Sequence, residues 1–148
     1  MTLDHENLDV YRVSLDFAAW AYSLCREFAG LDRHARDQLL RASQSIALNI
    51  AEGCGKLSPP DRGRYFQIAS GSARECSAVL DILVRCRVLG SDRAQAGKDM
   101  LVRVVAMLVR MVDRLNAVRE GDFVYGDANG NGDVAQATRS RPADGDYR

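Results

Sequence analysis

The chain predicts an all-α protein, an antiparallel up-down four-helix bundle with a disordered C-terminal tail. Three observations carry this. Helix formers dominate the first 120 positions and the whole chain holds only three prolines. Apolar residues recur at three- and four-residue steps in four separate stretches, each bounded by a helix stop or start signal. Over the same span no β-hairpin signal interrupts the pattern.

Length and composition set the frame. At 148 residues the chain forms one domain with its own core. A hydrophobic content of 47% with 27% charged residues matches ordinary globular proteins rather than disordered or membrane chains. No apolar run reaches the ~20 residues that span a bilayer, and no secretory leader pattern opens the chain, so a cytoplasmic location without membrane contact is expected. Cys25, Cys54, Cys76 and Cys86 form no CxxC pair or metal spacing. They read as reduced thiols, with neither a metal nor another cofactor implied.

The first helix is expected from about Leu8 to Phe28, with Val10, Val13, Phe17, Trp20 and Leu24 inward. Gly30 stops it, and Asp32 is placed to cap the next. The second helix spans Arg33 to Cys54 with Leu39, Ala42, Ile46 and Ile50 as its stripe. Small residues (Ala42, Ser43, Ser45, Ala47, Ala51) admit a close neighbour, and Gly53 is expected to end the helix in the left-handed region.

Ser58-Pro59-Pro60-Asp61 opens the third helix. Ser58 is placed to cap, Pro59 fits the first helical position, and Asp61 completes an S-x-x-D box. Tyr65, Ile68, Ala69, Ser72, Cys76, Val79 and Leu83 are expected inward, to about Val88. Gly90 closes this helix and Ser91 caps the fourth. The fourth carries Leu101, Val104, Val105, Leu108, Val112 and Leu115, widened by Met100, Met107 and Met111. Helices three and four show a broader apolar face than a bundle seam needs, which implies a deep core or a subunit contact.

From Gly121 the composition turns to Gly, Asn, Asp and Arg, so residues 1–120 are assigned to the bundle and 121–148 to a flexible tail. Asp127, Asn129, Asn131 and Gly132 open a calcium-loop pattern. Thr138 stands where the bidentate Glu belongs, so no calcium site is expected.

Formal net charge is zero, yet Arg33 to Arg114 holds fourteen Lys/Arg against eight Asp/Glu, an excess of six. Nearly all the cations are arginines, which suit bidentate contact with phosphate. Arg33, Arg36 and Arg41 along helix two, with Lys56, Arg62 and Arg64 near the corner, are the candidate nucleic-acid contacts. Pairing with Asp37, Asp61 and Glu75 would make the same surface ordinary. Trp20 and Phe17 belong to the core stripe, while Tyr22 lies off it.

Ser45-Ile46-x-x-Asn49-Ile50-Ala51-Glu52-Gly53-x-Gly55-Lys56 resembles the signature of the 23S rRNA intervening-sequence proteins, the S23 four-helix-bundle family. Arg64-Tyr65-Phe66-x-Ile68-Ala69-x-Gly71-Ser72-x-x-Glu75 is similar to that family's third helix, and Val10-Tyr11 fits its start. The resemblance covers roughly residues 8 to 117. It implies a bundle that assembles as a ring, commonly a homopentamer. Its best-understood relatives, accessory proteins of diversity-generating retroelements, bind nucleic acid and partner a reverse transcriptase. This chain differs from them in its balanced charge, in Ala29 where proline is frequent, and in its appended tail.

Asn49, Glu52, Gly53 and Gly55 form the corner motif. Asn49 and Glu52 lie three apart on one helical face, which suits a buried, hydrogen-bonded clamp between helices two and three. A ligand or catalytic site there would need a tuned titratable pair, and one Glu with one Asn does not supply it. His5 and His34 have no nucleophile partner, and GCGKLS lacks the P-loop spacing. The expectation is a non-enzymatic oligomeric scaffold that binds RNA, DNA or a nucleic-acid-handling protein. A structural or protein-binding assembly without nucleic acid is the alternative.

Overall fold

A computed structural model describes residues 2–27 and 33–126, with side chains to Val118. After a short 3-10 turn, Asp4–Asn7, come α1 (Asp9–Glu27), α2 (Arg33–Cys54), α3 (Pro59–Arg85) and α4 (Ser91–Gly126). Paired contacts run in opposite chain directions, which fixes the up-down order. Tyr22 meets Gln44 while Cys25 meets Arg36, and Gln38 meets Glu75 while Ser45 meets Ser72. Trp20 covers Gly97 and Glu27 pairs with Arg93, closing α4 onto α1. Each helix packs along its two neighbours, and among the described residues the backbones of the diagonal pairs α1–α3 and α2–α4 stay more than 8 Å apart between Cα atoms.

The core follows the apolar periodicity. Phe17, Leu24, Leu39, Ile46, Ile50, Phe66, Leu80, Val104 and Leu108 are fully buried and come from all four helices. Each Leu, Ile or Phe contributes roughly 1.5–3 kcal/mol over an exposed position. Trp20 packs at the edge, stacked on Phe17 at 5.6 Å. Tyr22 is 38% exposed, and its hydroxyl accepts from Gln44.

In α3 the inward set is shifted from expectation. Phe66 is buried, Tyr65 only half-buried, and Ile68 is 42% exposed. The helix touches α2 on one side and α4 on the other, so the inward arc centres between Phe66, Ala69, Ala73, Cys76 and Leu80. Tyr65 and Ile68 are left on its rim.

Helix ends also differ. Gly53 lies inside α2, not in a left-handed turn: a Cβ there would sit 2.8 Å from Phe66 Cε1. Its lack of a side chain admits the Phe66 ring. Ser58 has the extended backbone of an N-cap, but its hydroxyl makes no capping bond; Pro59 does begin α3. That helix ends at Arg85, before Gly90, in a Schellman turn. Val88 N–H donates to Leu83 O at 2.9 Å and Arg87 N–H to Val84 O at 3.0 Å. The left-handed position falls to Arg87, with φ 59°. Helix α4 continues to Gly126, past the tail boundary expected at Gly121. Phe28, Gly30, Asp32 and the pattern at Asp127–Thr138 lie outside the described residues.

Candidate nucleic-acid interface

The corner between α2 and α3 is tied differently from the expected clamp. Asn49 Nδ2 donates within its own helix, to Ser45 O at 2.7 Å and Ser45 Oγ at 3.0 Å. Ser45 Oγ then meets Ser72 Oγ of α3 at 2.8 Å, and Ser72 also donates to Ile68 O. The polar link between the helices is therefore Asn49–Ser45–Ser72, a relay of small side chains. Glu52 is not buried. Its side chain is 53% exposed and pairs with Lys56 at 2.6 Å, because its α2 position points away from α3's packed face. Lys56 in turn lies 5.0 Å over the Tyr65 ring, a cation–π contact across the corner. The Glu52 carboxylate raises the Lys56 ammonium pKa above its ordinary value. Gly55 follows α2 and has no contact closer than 3.5 Å at a hypothetical Cβ.

Of the six candidate cations, the structure separates two groups. Arg33, Arg36 and Arg41 occupy the first half of α2, about 20–35 Å along the helix from Lys56. Arg36 is half-buried and pairs with Asp37 at 3.7 Å. Arg33, Arg41 and Arg64 are exposed, with no carboxylate within ion-pair reach among the described residues. Asp61 pairs with none of the candidate cations, and Glu75 accepts from Gln38 instead. At the corner Arg62 Nη2 donates to Lys56 O at 3.2 Å, which binds these two residues into one unit.

Sequence reasoning missed the partner of this unit. Arg114 of α4 shares with Arg62 the rim of a cavity of about 350 Å³, floored by Leu8, Phe66, Met111 and Leu115. Arg114 also ends an exposed row with Arg103 and Arg110 on the outward face of α4. The spacing of seven and four residues places all three on one stripe, a signal that was available in the sequence. One end of the bundle thus brings Arg62 and Arg114 to one cavity rim beside Asp4, with Lys56 tied to Arg62, and Glu52 and Asp61 belong to the same corner.

Three of the thiols, Cys25, Cys54 and Cys76, are held in the protonated form by burial and are poor nucleophiles. All four cysteines are free. Burial pushes Cys76 up to about 12 and raises Cys25 and Cys54 as well. No group of three or more His, Cys, Asp or Glu is placed to hold a metal among the described residues. Nor is any helix among them long and apolar enough to cross a membrane.

A four-helix bundle with a hydroxyl-linked corner and an Arg62–Arg114 rim is the class these features define. Residues 6–110 match the 23S rRNA-intervening sequence protein family, and the chain belongs to it. A solved structure of a protein of unknown function from the S23 ribosomal protein family of Bacteroides thetaiotaomicron shares the fold. It is 23% identical with a TM-score of 0.66, over 70% of this chain and 97% of that one. None of the curated proteins is detectably similar in sequence.

Proposed function

We propose that this chain is a non-enzymatic, oligomeric helical-bundle scaffold that binds nucleic acid, or a protein that handles it, through arginine-rich surface. The carrying observation is that Arg62 of α3 and Arg114 of α4 share one cavity rim, with Lys56 tied to Arg62 and Arg64 exposed two residues further along α3. Arginines from sequence-distant helices placed together form a field that phosphates feel as one patch. Repeated around a ring, commonly a homopentamer as the family resemblance implies, the patch becomes a belt. A reverse transcriptase is the protein partner that resemblance suggests.

The test is fluorescence anisotropy with single-stranded RNA and with duplex DNA across a salt series. Binding should weaken steeply with salt, and Arg64→Glu with Arg114→Glu should lower affinity at least tenfold without changing the helical melt. Salt-independent or absent binding would reject this reading. The alternative, a protein-binding assembly with no nucleic-acid role, is favoured by the exposed valines of α4. Solution mass bears on both: about five times 16.3 kDa is expected for the pentamer.

A further inference from the structure

The cavity beneath Arg62 and Arg114 is built from four parts of the chain: the opening turn, the end of α2, the start of α3 and the second half of α4. Its volume of about 350 Å³ lies at the small end of the range of roughly 300–1,000 Å³ found for small-molecule pockets. The floor is apolar, made by Leu8, Phe66, Met111 and Leu115, with Val118 at the edge. Contact with a nucleic-acid backbone is made to phosphate and sugar, and calls for no such floor. An apolar body is what this surface would take out of water.

The rim is charged and partly fixed in advance. Arg62 and Arg114 line it, and among the described residues neither makes an ion pair, although Asp4 lines the same cavity. Arg62 Nη2 donates to Lys56 O at 3.2 Å, which holds the guanidinium in place before any ligand arrives. Its Nε is shut off from solvent and has no acceptor among the described residues. A buried donor without an acceptor is unfavourable, and an oxygen anion seated beside the guanidinium is the group it lacks. The planar fork of an arginine matches a carboxylate, and Asp4 disfavours a head of higher negative charge.

We infer that this cavity binds a small amphipathic carboxylate, with its head on Arg62 and Arg114 and its apolar body on the Leu8–Phe66–Met111–Leu115 floor. Two cations against the single Asp4 carboxylate leave the rim attractive to one negative charge. Neither element suffices alone: the floor does not select an acid, and the arginines do not select an apolar body. The site goes beyond the nucleic-acid reading, since it takes a ligand that carries no phosphate.

Octanoate is the probe, and 1-octanol is its uncharged counterpart with the same tail. Calorimetry on the full chain should give one octanoate per chain, bound at least about tenfold more tightly than octanol. Arg114 is exposed, so Arg114→Met should leave the helical melt close to that of the parent. It should weaken octanoate by about tenfold and leave octanol unchanged. Cys54 lines the cavity and reports on its occupancy. In a Cys86→Ser background, which removes the exposed thiol, saturating octanoate should slow alkylation of Cys54 by iodoacetamide, followed by peptide mass spectrometry.

Equal affinity for octanoate and octanol, or octanoate binding that Arg114→Met does not weaken, would overturn the inference. So would bound octanoate that leaves Cys54 alkylation unchanged. Absence of saturable binding would overturn it too, whether the cavity stays empty or the chain's own residues beyond 118 fill it. The two readings fail separately. Salt-sensitive RNA binding by a chain that ignores octanoate would remove this site and leave the proposed function standing. Octanoate binding without RNA or DNA binding would do the reverse.

Discussion

The two seams of α3 use similar small residues to opposite ends. Toward α2, Ser72 and Gly53 bring the helices together: a hydroxyl pair joins them at 2.8 Å, and a glycine lets Phe66 enter. Toward α4, Ser70 and Ser77 face valines, whose branched side chains hold the backbones apart and leave hollows. A small residue closes a seam only when the facing position is small or polar enough to reach it. Facing a β-branched residue, it leaves a groove.

The largest expected effect comes from breaking the closed seam. Gly53→Ala would place a Cβ 2.8 Å from Phe66 Cε1 and 3.1 Å from Tyr65 Cβ. The ring is fully enclosed, so stability should fall by about 1–3 kcal/mol, read from the denaturant midpoint. Gly71→Ala is the contrast. Nothing lies within 4 Å of its Cβ position, and the exposed helical site should gain about 0.5–1 kcal/mol. Equal effects at the two glycines would erase the distinction.

The hydroxyl link comes next. Ser45→Ala and Ser72→Ala should each cost about 0.5–1.5 kcal/mol. A double-mutant cycle should return a coupling of about 0.5–1 kcal/mol, and additivity would show that the pair does not join the helices. On the open seam, Val102→Ser should change the stability of an isolated chain by less than about 0.5 kcal/mol, because the side chain is 66% exposed. Any larger loss would mean that the groove is already filled.

The smallest effect concerns pH. Arg93, hydrogen-bonded to Glu27, holds that carboxylate below its ordinary pKa of 4.5. A depressed folded-state pKa gives a contribution that is present above 4.5 and fades as pH falls through the folded value. Melting temperature should therefore decline slightly more below pH 4.5 in the parent than in Arg93→Gln. The pair is exposed, so the difference should be small, and a reversed sign would disprove the assignment.

Much of the fold was legible. The Arg33–Cys54 helix appears at its expected bounds, and Pro59 begins α3 as its fixed φ requires. Periodicity found the stripes of α1, α2 and α4 because each repeats regularly over several turns. It misplaced Tyr65 and Ile68 against Phe66, since α3 is gripped from two sides and two adjacent stripes compete for the inward arc. The corner was half read: Asn49 does bond, but Glu52 lies in solvent. Hydrogen-bond partners depend on which neighbour occupies each face, and spacing within one helix does not carry that.

Left to itself, the sequence determined four amphipathic helices, their order and the arginine excess along them, because periodicity, caps and composition are local properties. Only the tertiary structure decided that Gly53 serves Phe66 rather than a turn, that Arg87 takes the left-handed position, and that Arg62 and Arg114 share one rim. Those outcomes depend on distances between residues far apart in the chain. They exist only once four separate helices have settled against one another.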